Sequence, residues 1–305
     1  MLINCGKCKP TVVAIKYIYI QITRMYKYLL LLSLFVSTAA MAGTVDTVNI
    51  YSAAMRKSYK AVVIKPEAYT NSNTAYPTVY LLHGYSGAFS NWIKLVPQLK
   101  KYVDDYRLII VCPDGAYSSW YFDSPVDSAM RFETYIAKEV PAFIDAKYRT
   151  IKHRDARAIT GLSMGGHGGL FLGFRHANFF SACGSMSGAL LIEYIKRGYD
   201  MEKRLGDTIT NQHYYRNLSI MKEMENYPKD SVAIIMDCGV DDFVIEMNRM
   251  AHQKMLSLKI PHEYIERPGK HDWPYWANAV QYQLFYFSNH FKAQSAKNKS
   301  ITKTN

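Results

Sequence analysis

Thr160-Gly161-Leu162-Ser163-Met164-Gly165-Gly166-His167-Gly168-Gly169 follows the apolar run Ala156–Ile159 and opens a helix-like run, Leu170–Ala177. The order reads as strand, sharp turn, helix, with a serine at the apex. In such a turn the residues two before and two after the serine are pressed together, so both must be small, and Gly161 and Gly165 meet that need. Glycines at 166, 168 and 169 strip side chains from the first turn of the helix, letting its free N–H groups approach the serine oxygen. Ser163 is therefore the candidate nucleophile.

Around this turn the chain alternates strand-like and helix-like segments, which predicts an α/β fold with a mostly parallel sheet covered by helices on both faces. Val45–Tyr51 and Tyr59–Ile64 read as an antiparallel opening pair closed by Lys65-Pro66. Thr78–Leu82 is a buried strand ending in His83-Gly84-Tyr85, and Leu108–Val111 another ending in Cys112-Pro113-Asp114-Gly115. A long helix begins near Ser128, with Phe132, Ile136, Val140, Phe143 and Ile144 at helical spacing. Pro141 lacks an N–H and predicts a kink near Glu139. Ser181–Met186, Val232–Met236 and Glu263–Ile265 read as strands, Val244–Leu258 and Trp276–Phe287 as helices. Leu190–Asp230 lacks a clear period and reads as an insertion above the site, a possible lid.

The chain of 305 residues has 49% hydrophobic and 20% charged residues, ordinary globular composition. Its net charge of +12 sits at the ends: residues 1–42 hold five Lys/Arg and no acid, residues 292–305 hold four Lys and no acid, and the stretch between carries +3. A near-neutral body with no phosphate-binding loop, metal cluster or basic aromatic stripe gives no sign of nucleic-acid or cofactor binding. No cofactor or metal is expected. The tail 292–305, polar and without periodicity, is expected to be disordered.

Met25-Tyr26-Lys27-Tyr28, the apolar run Leu29–Val36 and Ala40-Met41-Ala42 form a signal-peptide pattern with an A-x-A site. The expected domain order is thus 1–24 as a mis-assigned start, 25–42 as a signal peptide, 43–291 as the folded domain and 292–305 as the tail. The protein is expected to be secreted or periplasmic, without a membrane span after cleavage. Lys16, Arg24 and Lys27 speak against an anchor built from Thr11–Ala42. Cys5-Gly6-Lys7-Cys8 has no partner at zinc spacing and lies upstream of the cleavage site. Cys112, Cys183 and Cys238 end apolar runs and read as small buried hydrophobes.

A serine hydroxyl attacks only when a base takes its proton and a third group fixes that base. Of nine histidines, His271 in Pro268-Gly269-Lys270-His271-Asp272-Trp273 alone stands in a loop directly after the last strand. The acid belongs after the preceding strand, where Asp237, Asp241 and Asp242 all occur. Asp237 is still within the strand, whereas Asp241 and Asp242 follow the Gly239 turn. For the developing oxyanion two backbone N–H groups are needed, and Met164 and Tyr85 are placed to supply them. His83 reads as structural. Trp120 and Trp273 lie in loops at the carboxyl edge of the sheet, where an indole face can stack on an aromatic acyl group.

Leu82-His83-Gly84-Tyr85, Pro113-Asp114-Gly115, Ser118-Ser119-Trp120-Tyr121, Gly161-Leu162-Ser163-Met164-Gly165-Gly166, Cys238-Gly239-Val240-Asp241-Asp242-Phe243 and Gly269-Lys270-His271-Asp272-Trp273 together resemble the esterase D-like branch of the α/β-hydrolases. That branch includes feruloyl and acetylxylan esterases, S-formylglutathione hydrolases and mycolyltransferases. The resemblance covers about Val45–Phe291 and implies an α/β-hydrolase fold with Asp242 as the acid of a Ser163, Asp242, His271 triad. Lys270 departs from the Gly-Gly-His common in such loops. The resemblance and the signal pattern imply an exported serine esterase acting on feruloyl or acetyl esters of plant polysaccharide. An S-formylglutathione hydrolase, a mycolyl-type acyltransferase and a non-catalytic carbohydrate-binding module on the same fold are the other readings.

Overall fold

The computed structural model describes residues 16–17, 19–27, 43–195, 198–227 and 232–304, with side chains through residue 300. The chain divides into two units, Met1–Met41 and Ala42–Asn305. In the first unit the described residues are helical and exposed. The A-x-A site and the Cys5/Cys8 pair fall outside the described residues. Among the described residues no helix is long and apolar enough to cross a membrane.

The second unit is built on an eight-stranded sheet of order β1-β2-β4-β3-β5-β6-β7-β8. The strands are β1 Thr44–Ser52, β2 Lys57–Lys65, β3 Thr78–Leu82, β4 Ile109–Pro113, β5 Arg157–Gly161, β6 Ala182–Met186, β7 Ala233–Gly239 and β8 Glu263–Arg267. β2 pairs antiparallel with β1 and β4, and the other pairs are parallel. This is the α/β-hydrolase architecture expected from the sequence.

Its helices include α1 Asn91–Leu95, α2 Leu99–Tyr106, α3 Val140–Lys147 (continuous with a turn at Phe132–Thr134), α4 Met164–Arg175, α5 Met201–Leu205, α6 Gln212–Asn217, α7 Ile220–Glu223, α8 Ile245–Ser257 and α9 Trp273–Thr304. β3 to β6 are buried on both faces, and their alternating side chains feed two separate cores. Tyr80, Leu82, Val111, Ile159 and Cys183 join the layer of α3 and α4. Val79, Leu81, Ile110, Ala158 and Ala182 join the layer of α1, α2 and α9. Cys112, Cys183 and Cys238 are buried free thiols.

β3 lies between β4 and β5, so the strand order reverses at β3, and loops leaving β3 and β5 diverge to open a crevice there. Leu82 pairs with Gly161, which brings the turn after β3 beside the turn after β5.

Before Pro141 the helix widens into a π turn over Tyr135–Glu139, with the Val140 N–H bonding to the Tyr135 carbonyl. A proline ring cannot follow a regular turn, and the extra residue absorbs the misfit. The stretch after Leu190 holds α5, α6 and α7, short helices whose brevity explains the weak period. The expectation of a disordered tail is corrected, because α9 runs on through residues 292–304. Extending a helix already packed through Phe291 avoids the nucleation cost, and Asn298 Nδ2 donates to Asp155 Oδ2 at 3.1 Å. Absence of an apolar period marked the end of burial there, not the end of the helix.

α9 is keyed to the sheet by Gln283, which is fully buried. Its Nε2 donates to the Ser185 carbonyl at 2.8 Å, and the Thr160 hydroxyl donates to its Oε1. Gln283→Leu deprives both buried groups of that partner, so urea unfolding should show a loss of about 2 kcal/mol. An unchanged midpoint would contradict this role.

Candidate active site

Ser163 has φ 54° and ψ −116°, a conformation that costs a non-glycine residue about 1–3 kcal/mol. Hydrogen bonds hold it there. Its N–H donates to the Met186 carbonyl at 2.9 Å, and its own carbonyl accepts from His167 at 3.0 Å and Ala189 at 3.2 Å. A Cβ at Gly165 would stand 2.6 Å from the His83 carbonyl, so the turn closes only on glycine. The serine is thereby lifted off the strand end with its Oγ facing the crevice.

Ser163 Oγ lies 2.9 Å from His271 Nε2, and His271 Nδ1 lies 2.9 Å from both carboxylate oxygens of Asp242. A carboxylate only accepts, so Nδ1 carries the proton and Nε2 is free to accept from the serine hydroxyl. The Asp242 side chain is buried, and Oδ1 also accepts from the Val244 N–H at 3.0 Å. Burial pushes its carboxyl up, but the hydrogen bonds from His271 and Val244 outweigh it and hold it below the usual carboxylate range. Asp241 is exposed, its N–H bonded to the Gly269 carbonyl at 3.0 Å. Asp237 points elsewhere, to Arg267 and Tyr275.

His83 is held away from any reaction: Nε2 accepts from the Gly115 N–H at 2.8 Å, which leaves Nδ1 to donate to the Gly84 carbonyl at 2.8 Å. His167, buried against Phe171, donates through Nε2 to the Leu218 carbonyl, and burial pushes its pKa down to about 4. Met164 N opens α4, and Tyr85 N leaves the turn after β3. Among the described residues neither N–H has a protein acceptor. No group of three or more His, Cys, Asp or Glu side chains among them is arranged to hold a metal.

A cleft of about 760 Å³ opens on Ser163 and His271. Its walls include Tyr85, Trp120, Tyr194, Tyr199, Phe243, Trp273 and Trp276, with no Lys or Arg. Trp120 is 2% exposed and donates Nε1–H to the Tyr199 carbonyl, so it is chiefly wall. Trp273 is half-buried and stands edge-on to Trp92 and Trp276. Trp276 meets the His271 ring at 88° with centroids 4.9 Å apart, and Phe243 lies 4.4 Å from it on another side. Sequence reasoning missed Trp276, Phe243, Tyr194 and Tyr199. The available signal was Trp276's place only five residues after His271.

Fold and geometry together define a serine hydrolase of the α/β-hydrolase class. The family model described as "Putative esterase" matches residues 52–286, and the chain belongs to that esterase family. An acetyl esterase of Caldicellulosiruptor saccharolyticus is 26% identical over 265 residues, 77% of this chain and 96% of that protein. Among solved structures, a ferulic acid esterase superposes with TM-score 0.71 at 29% identity, covering 82% of this chain and 99% of that one. An S-formylglutathione hydrolase of Staphylococcus aureus shares the fold at TM-score 0.66 and 19% identity, covering 81% of this chain and 100% of its own.

Ser163→Ala should lower ester turnover by about three orders of magnitude or more with the thermal midpoint preserved. Asp242→Asn should cost far more activity than Asp241→Asn, since only Asp242 meets the imidazole. Steady-state rates on an activated ester check both, and the reverse ranking of the aspartates would contradict the geometry.

Proposed function

We propose that the protein is an exported serine esterase that hydrolyses aromatic acyl esters, of the feruloyl kind, on plant polysaccharide. Ser163 Oγ attacks the ester carbonyl as His271 Nε2 takes its proton, and Asp242 stabilises the imidazolium. The N–H groups of Tyr85 and Met164 receive the oxyanion. His271 then gives the proton to the leaving alcohol, an acyl-Ser163 remains, and water activated by His271 releases the acid.

The observation that carries this reading is a Ser163–His271–Asp242 chain of hydrogen bonds at the floor of a cleft walled by seven aromatic side chains. Aromatic faces contribute about 0.5–1.5 kcal/mol to a ring beyond area burial and almost nothing to an acetyl group. A glutathione thioester brings carboxylates, and the lining offers no cation to meet them. The likeness to a ferulic acid esterase supports the aromatic acid. The acetyl esterase relative favours acetyl groups as the second reading.

Trp273→Ala should lower kcat/KM for methyl ferulate several-fold more than for a small acetyl ester, because truncation removes binding that only the ring uses. Equal losses would favour the acetyl reading. Export is tested separately: intact mass of the protein recovered outside the cytoplasm of its native host should correspond to a chain starting at Gly43, and retention of residues 1–42 would overturn signal cleavage.

A further inference from the structure

Three carboxylates, Asp237, Asp241 and Asp242, lie within six residues at the carboxyl end of β7, and the proposed reaction employs one. Asp237 is the most deeply buried of them, its side chain fully enclosed within the sheet. One of its oxygens receives Arg267 Nη2 and the other the Tyr275 hydroxyl. We propose that Asp237 is a positioning residue for the base: through Tyr275 it fixes the loop that carries His271 and so sets the distance between imidazole and serine. This inference rests on the triad reading given above.

His271 hangs between two anchor points, and both pass through Tyr275. On one side, Gly269 has φ 150°, and any Cβ there would run into the Tyr275 ring, so the edge of that ring packs tightly against the loop backbone. On the other side, Asp272 begins α9 by accepting the Tyr275 N–H on Oδ1 at 3.1 Å, while the Trp276 N–H bonds to its carbonyl at 3.1 Å. Only Lys270 and His271 separate these two holds. Tyr275 is itself 5% exposed, with its hydroxyl turned to Asp237. Burial, and then the Asp237 charge, push its phenol far above the usual range, so it remains a donor.

A plain clamp between β7 and β8 is the simpler account of an Asp237–Arg267 pair, but those strands are already joined in register from Ile235/Glu263 to Gly239/Arg267. The second oxygen is what distinguishes the two accounts. It reaches past the sheet to the first turn of α9, the element that directly follows His271. The same loop is stitched to the acid loop by Val240 N–H to the Arg267 carbonyl at 2.9 Å and by Asp241 N–H to the Gly269 carbonyl at 3.0 Å. Asp237 thus holds the base where Asp242 can meet it.

Tyr275→Phe keeps the ring on Gly269 and removes only the hydroxyl. With a small activated ester, kcat should fall about ten-fold with KM within two-fold of wild type, the pattern of a base displaced from its nucleophile. Asp237→Asn should fall at least as far, and the double variant no further than Asp237→Asn alone, because both act along one path. Should Asp237→Asn fail to fold, Tyr275→Phe decides alone. A folded Tyr275→Phe protein with kcat within two-fold of wild type, or losses that multiply in the double variant, overturns the proposal. Ser163→Ala run alongside separates the two readings: activity surviving in that variant defeats the triad itself.

Discussion

The left-handed backbone at Ser163 is the constraint on which the rest of the site depends. An L-residue is held there only because the turn is over-determined by the Met186 carbonyl below it, the His167 and Ala189 N–H groups above it and the tight Gly165 contact with β3. The same turn puts the first N–H of α4 next to the serine, so raising the serine and placing that N–H beside it are one structural event. Tyr85, whose N–H completes the proposed oxyanion site, is brought near because Leu82 and Gly161 are partners across β3 and β5.

Everything that approaches the serine does so from the carboxyl edge of the sheet. The acid loop leaves β7, the base loop leaves β8, and their mutual hydrogen bonds make them a unit. Solvent exclusion follows from the same placement: Trp276 and Phe243 cover two sides of the imidazole, which lowers the local dielectric around the Asp242 carboxylate it bonds. The aromatic walls therefore enclose the His271–Asp242 pair as well as lining the cleft.

The fold and the tight serine turn were legible in the sequence because both are written in short-range terms. Apolar runs buried on both faces mark parallel strands, and a serine flanked at two residues by glycine admits few conformations. The acid was less legible, since three aspartates share one short stretch and the register that sends Asp237 into the sheet and Asp242 toward His271 is a property of the β7–β8 pairing. Trp276 was hidden by its position in a helix that reads as core, although α9 begins early enough, at Trp273, to bring its first turn to the imidazole. The tail failed for the opposite reason: periodicity detects a buried face, and a helix can outrun its burial.

The central claim is that Ser163 becomes covalently acylated. Treating the protein with a 4-nitrophenyl phosphonate, which leaves a stable mimic of the tetrahedral intermediate on an activated serine, and measuring intact mass tests it directly. One adduct per chain is expected, mapping to Ser163 in the tryptic peptide of residues 158–175 and absent in Ser163→Ala. No adduct under conditions that preserve the fold, or an adduct on another residue, would contradict the account.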